Sequence, residues 1–199
     1  MKSYNLGFTI MELIIAIIIL SFIILGINGI AVFTRNNVVT ADRRAKLQND
    51  VSRVIDHVSR MSNAAIGNEA VSGANSVVTA GTGTLAVFVD SNQDGMRDST
   101  VSAATDHWVY YNRDASNNIH YCNTCLTNNC SAGCPAGTDE IIARNMTDFT
   151  VSKDFTQGNF INVSVTACYN PAAGTCGTAV ENPSVTMRSR IDLPGVSLN

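Results

Sequence analysis

The hydrophobic and polar positions of this chain fall into three regimes. Residues 8–33 are apolar almost without interruption, and Glu12 is the only charged side chain among them. At ~1.5 Å per residue a helix of that length extends about 39 Å, more than the ~30 Å hydrocarbon core of a bilayer. Lipid offers backbone amides no partners, so a spanning segment of this kind has to be helical. After residue 33 the apolar positions narrow to one stripe. Leu47, Val51, Val54, Val58 and Met61 recur every three or four residues, while Arg43, Arg44, Lys46, Asp50, Arg53, Asp56 and Arg60 occupy the other faces. That pattern predicts an amphipathic helix packed on its own domain; a free coiled coil would need a longer run of heptads. No proline falls between residues 8 and 63, so one continuous helix is expected to about residue 65.

The third regime is β-like. Residues 67–83 are rich in Gly, Ala, Ser, Thr and Val and read as the loop leaving the helix, with a candidate short strand at 76–80. Short aliphatic and aromatic runs then follow at 85–89, 108–111, 119–121, 141–143, 149–152, 160–167 and 185–191. In the sixth of these, Val163, Val165 and Ala167 alternate with Asn162, Ser164 and Thr166, as in a half-buried strand. The expected fold class is α+β: a long N-terminal helix, transmembrane in its first half and amphipathic in its second, packed on an antiparallel β-sheet. The expected division is residues 8–33 as the spanning helix, 34–66 as its amphipathic continuation and 67–199 as a β-rich globular domain.

Composition narrows the function. The chain has 199 residues, room for one soluble domain beyond the helix. With 13 Lys and Arg against 16 Asp and Glu the net charge is −3, and no basic block occurs, so no nucleic-acid partner is expected. Lys2 before the apolar run argues for a cytoplasmic N-terminus and an exported C-terminal domain, although Arg35, Arg43 and Arg44 follow the run. Glu12 is the anomaly. A carboxylate within an apolar span costs roughly 2.5–3.5 kcal/mol on insertion scales. Either it snorkels from near the interface, or it meets a buried cation.

The stretch Gly7-Phe8-Thr9-Ile10-Met11-Glu12-Leu13, after a short leader carrying Lys2, resembles the N-terminal signature of type IV pilins and pseudopilins. The resemblance implies that residues 1–7 are a leader removed by a prepilin peptidase after Gly7. It implies that Phe8 is then N-methylated, and that Glu12 neutralises the N-terminal ammonium of a neighbouring subunit. An ordinary secretory signal loses its apolar region on cleavage; here the implied cut lies before that region. Many pilins carry a proline in the apolar half. This chain has Gly26, Asn28 and Gly29 instead, weak helix formers where any melting on assembly is expected. Residues 141–151 more loosely resemble a segment of PilW-type minor pilins and of the J-type minor pseudopilin.

Two groups of residues carry candidate chemistry. Asp90-Ser91-Asn92-Gln93-Asp94-Gly95-Met96-Arg97-Asp98 copies the first nine positions of an EF-hand loop. Asp90, Asn92, Asp94 and Asp98 fall at side-chain ligand positions, Met96 at the position that ligates through its carbonyl, and Gly95 at the turn. The bidentate Glu of position twelve is replaced by Val101, and Asp106 is a candidate to complete the set. A structural calcium is therefore one expectation, and a polar turn between strands the other. The six cysteines are even in number, and in an exported domain they read as disulfides. Cys122, Cys125, Cys130 and Cys134 form a cluster with three pairings open; a zinc or iron–sulfur site on the four thiolates is the rival reading. Cys168 and Cys176 form a close pair that resembles the C-terminal disulfide loop of many pilins. His57, His107 and His120 are scattered and read as surface or strand-edge residues. No phosphate loop or catalytic constellation is found, and no enzyme is expected.

The expected function is a minor pilin of a type IV pilus, acting in priming, at the tip or in adhesion. It would be held in the inner membrane before assembly and then in a periplasmic or surface filament. Its implied partners are other pilin subunits, the prepilin peptidase and the inner-membrane assembly machinery. A minor pseudopilin of a type II secretion system is the first alternative, and a major pilin the second. An anchored binding protein and an exported metalloenzyme are the rivals from other classes.

Overall fold

The computed structural model describes residues 9–69, 71, 74–78, 83–102, 105–125, 127, 130, 134, 139–153, 155–156, 158–177, 179 and 181–197. The leader, residues 1–7, and Phe8 lie outside them, as does the second half of the candidate strand at 76–80. The protein is α+β, with one long helix, α1 (Ile10–Asn63), followed by short strands. It divides into two compact units, Met1–Asp42 and Arg43–Asn199.

In the first unit every residue from Ile10 to Phe33 is exposed. A helix that is apolar on all faces belongs in a membrane or in the interior of an assembly, and α1 is long and apolar enough to cross a bilayer. Two of its polar side chains turn back on their own helix. Ser21 Oγ donates to the Ile17 carbonyl at 2.8 Å and Asn28 Nδ2 to that of Ile24 at 3.0 Å. Both groups are thus satisfied without water. The helix runs unbroken through Gly26, Asn28 and Gly29.

In the second unit the last turns of α1 bury Leu47, Val51, Val54, Ile55, Val58 and Ser62. That face packs in one apolar cluster with residues from two antiparallel sheets. The larger sheet contains β2 (Val77–Val78), β3 (Thr84–Val89), β4 (His107–Arg113), β5 (Ile119–Cys125) and β6 (Asp139–Ala143), in that order. The smaller contains β7 (Met146–Lys153), β8 (Phe160–Cys168) and β9 (Ser184–Asp192). In β8, Val163, Val165 and Ala167 enter this core, and Asn162 faces solvent.

The larger sheet is covered on both faces. Leu85, Val87, Val109, Tyr111, Ile119 and Tyr121 face α1. Ala86, Phe88, Trp108, Tyr110, Cys122 and Cys125 form a second cluster on the opposite face. This double burial explains why 85–89 reads as an unbroken apolar run and not as an alternation.

One pairing is parallel. β1 (Ile66–Asn68), at the foot of the helix, pairs with β10 (Gly195–Ser197) in the register Ile66↔Gly195. The sequence reading contains only antiparallel strands and neither of these, since three residues are too few to show a period. Gly195 is needed for the close approach: a Cβ there would strike the Ala65 carbonyl oxygen.

Three disulfides staple the domain: Cys122–Cys134, Cys125–Cys130 and Cys168–Cys176. Their Cα separations of 5.7, 6.1 and 5.7 Å lie in the usual range. The four-cysteine cluster thus takes the nested pairing of the three that spacing left open. Cys168–Cys176 closes the β8–β9 connection, which holds a 3₁₀ turn at Pro171–Ala173.

Candidate functional site

The first candidate lies at the start of α1. Thr9 precedes the first helical residue, and its Oγ1 accepts the Glu12 N–H at 3.3 Å. Its carbonyl accepts the N–H groups of Glu12 and Leu13 at 3.1 and 3.2 Å. Thr9 therefore caps the helix, at the Thr-x-x-Glu spacing that marks a helix start in the sequence. It gives Glu12 a local role. An acid in the first turn meets the positive end of the helix, worth about 0.3–1 kcal/mol when exposed. That is less than the cost of placing the charge in lipid, so a local role alone does not offset burial of Glu12.

The second candidate is the acidic loop between β3 and β4. Asp90 accepts the N–H groups of Gln93 (2.6 Å) and Gly95 (3.0 Å), and Asp94 accepts that of Met96 at 2.7 Å. Asn92 Oδ1 accepts the Asp94 N–H at 3.2 Å. Its Nδ2 donates to Asp94 and Asp98 at 3.0 and 3.2 Å. Asp106 is fully buried and accepts the N–H groups of Ser91 (3.3 Å) and Asp98 (2.9 Å), closing the loop from behind. Gly95 has φ +74° with open space around it, a conformation that favours glycine. The loop thus carries Asp90, Asn92, Asp94, Asp98 and Asp106, oxygen donors of the kind a hard cation takes, here turned onto the loop's own N–H groups. The Met96 side chain points to solvent. Arg97 anchors the loop to the second cluster: its guanidinium stacks 3.8 Å from the Phe88 ring centre and donates to the Asn75 carbonyl at 3.1 Å.

The third grouping was not anticipated. His120, on β5, sits between two carboxylates, with Nε2 3.1 Å from Asp114 Oδ2 and Nδ1 3.0 Å from Asp139 Oδ1. Burial disfavours its charge, but the two carboxylates outweigh that and raise its pKa above the ordinary value. Burial likewise opposes ionisation of Asp114, yet the Asn118 donors and His120 bring its pKa down to about 2. Asp114 meets His120 across the β4–β5 turn, and Asp139, far along the chain, is brought to it by the pairing of β5 with β6. The other histidines are structural. His57 Nδ1 lies 2.9 Å from the Tyr111 hydroxyl, and burial followed by the nearby Arg60 lowers its pKa. His107 Nδ1 lies 3.1 Å from the Thr105 carbonyl.

These features define an α+β protein with a helix fit to anchor it in a membrane and a disulfide-stapled β domain. A comparison of the chain with protein families, curated proteins and solved structures found no match.

Proposed function

We propose that this protein is a type IV pilin-like subunit, and among such subunits a minor pilin. It would be cut after Gly7, methylated at Phe8 and assembled through α1. The reading is carried by one coincidence. The Gly7–Leu13 signature stands immediately before a helix whose apolar side chains are exposed on every face from Ile10 to Phe33. Such a helix can leave lipid only by exchanging it for other apolar helices. In that setting Glu12 is the one carboxylate among apolar neighbours, and a neighbouring chain's N-terminal ammonium is the partner that makes its burial tolerable.

Quantitative mass spectrometry of sheared filaments and of membranes tests this. A peptide beginning at methylated Phe8, present at low stoichiometry in filaments, is the expected result. The same peptide confined to membranes would favour a pseudopilin of a type II secretion system. Dominance in the filament would make the chain a major pilin, and an unprocessed Met1 start would overturn the whole reading.

We further propose that the loop holding Asp90, Asn92, Asp94, Asp98 and the Met96 carbonyl binds a weak structural calcium, supported by Asp106. Calcium at ten times its dissociation constant stabilises by about 1.4 kcal/mol, a rise in melting temperature of roughly 3–6 °C for a domain of this size. Asp90→Ala should abolish that rise. A melting curve indifferent to calcium and to chelator would count against the site.

A further inference from the structure

The face of the larger sheet that carries the second apolar cluster also carries a cluster of polar donor groups. His120 and Cys122 stand two residues apart on β5 and so project to the same side. Asp139 opens β6 beside them, with Oδ1 3.0 Å from His120 Nδ1 and 3.5 Å from Cys134 Sγ. The Sγ atoms of Cys122 and Cys134 and a carboxylate oxygen of Asp139 all lie within 4.8 Å of one another. Together with Asp114 and Cys130 they line a shallow cavity of about 330 Å³.

Two sulfurs and one carboxylate oxygen converge as three donors, and His120 Nδ1, 3.0 Å from Asp139, adjoins them as the fourth. Zinc is bound tetrahedrally by these ligand types, at about 2.3 Å to sulfur and 2.0–2.2 Å to nitrogen or oxygen. Soft thiolates beside imidazole favour it over calcium or magnesium. Asp114, 3.1 Å from the second ring nitrogen of His120, stands where an outer carboxylate orients a ligating histidine. Cys125 and Cys130 have no such carboxylate and imidazole partners among the described contacts.

We propose that when the Cys122–Cys134 bond is open, Cys122, Cys134, His120 and Asp139 bind one divalent cation of the zinc class. Disulfide and metal are then alternative staples for the same loop. The step balances. A dithiol reductant gives two electrons and two protons to the disulfide and itself becomes a disulfide, and the two thiols release two protons as they ligate Zn²⁺ as thiolates. A chain not yet oxidised carries both thiols already and needs no reductant. In the other direction a disulfide oxidant removes two electrons from the thiolates, and the metal leaves. Metal on Cys122 and Cys134 would hold these two together and leave Cys125 to pair with Cys130, suppressing the other two pairings. The proposal does not depend on filament assembly.

The test uses the full chain in detergent micelles with Co²⁺ as the spectroscopic probe. Alkylation and mass spectrometry identify which thiols are free before and after mild reduction. The oxidised protein should give no thiolate-to-cobalt charge-transfer band. The protein with Cys122 and Cys134 free should bind one Co²⁺ per chain with the absorption of two thiolates, and Zn²⁺ should displace it. Asp114→Asn should weaken binding by roughly 10–100-fold, and His120→Ala and Asp139→Asn, which remove ligands, by at least as much. Cys122→Ser/Cys134→Ser, which opens the same loop without thiolates, should give no band. Equal binding by the oxidised protein would overturn the proposal. So would a four-thiolate band indifferent to His120→Ala and Asp139→Asn, or no binding by a reduced protein that keeps its circular dichroism. Should reduction unfold the domain, recovery of the oxidised spectrum on adding Co²⁺ supports the site, and failure to recover it overturns the site.

Discussion

The backbone and the side chain of Glu12 can be separated by a single substitution. Its backbone N–H is held by Thr9 Oγ1 at 3.3 Å, and its carboxylate is the group proposed to meet a neighbouring chain's ammonium. Glutamine suits the same capping position but has no charge. Glu12→Gln should therefore leave the amount of protein in the membrane unchanged while filament incorporation, read by mass spectrometry, falls several-fold. Normal incorporation would show that the charge of Glu12 is not needed for assembly. Glu69 works differently, as an internal clamp. Its side chain is 5% exposed, and its carboxylate accepts the Ser76 N–H at 2.7 Å, the Ser76 hydroxyl at 2.6 Å and the Val77 N–H at 3.1 Å. Burial raises its pKa, but these donors and Asn75 prevail and hold it below the ordinary carboxylate value. A depressed folded pKa means stability that is complete above the unfolded value of about 4.3 and lost as pH falls through the folded one. Glu69→Gln should cost about 1–3 kcal/mol at neutral pH, and the gap in melting temperature should close in acid. A gap undiminished in acid would show that the charge is not what stabilises the clamp.

Among the elements, legibility followed periodicity. The stripe from Leu47 to Met61 and the alternation in β8 each repeat often enough to show which face is buried, and both faces are where the pattern puts them. β1 and β10 are three residues each, too short for a period, and they exist because their partners lie far along the chain. The acidic loop is legible because its spacing is local. The His120 cluster is not, since Asp114 reaches it through a turn and Asp139 through the β5–β6 register; the hint in the sequence is His120 two positions before Cys122. In α1 the glycines are the element's adjustable feature. A methyl at Gly26 or Gly29 would meet nothing within 4 Å, and alanine is about 1 kcal/mol better than glycine in a helix. If this stretch loosens on assembly, Gly26→Ala/Gly29→Ala should insert normally and enter filaments less efficiently. Incorporation equal to wild type would place no loosening there.

For the whole domain, stability comes from a core shared by α1 and two sheets, with disulfides tying the loops to buried strand ends. Cys168 is fully buried and its partner Cys176 lies eight residues on. In the chain-entropy account a loop of that size is worth about 2.6 kcal/mol. Cys168→Ala/Cys176→Ala should lower the melting temperature by roughly 5–10 °C, and an unchanged value would mean the β8–β9 connection is held without it. The parallel pair β1–β10 has a different reach. It joins Ile66, just past the helix, to Gly195, so the domain's seam closes only when a distant segment arrives. For a domain delivered across a membrane helix-end first, translocation then acts as a timer. The sheets can collapse early, but the seam stays open until β10 has crossed.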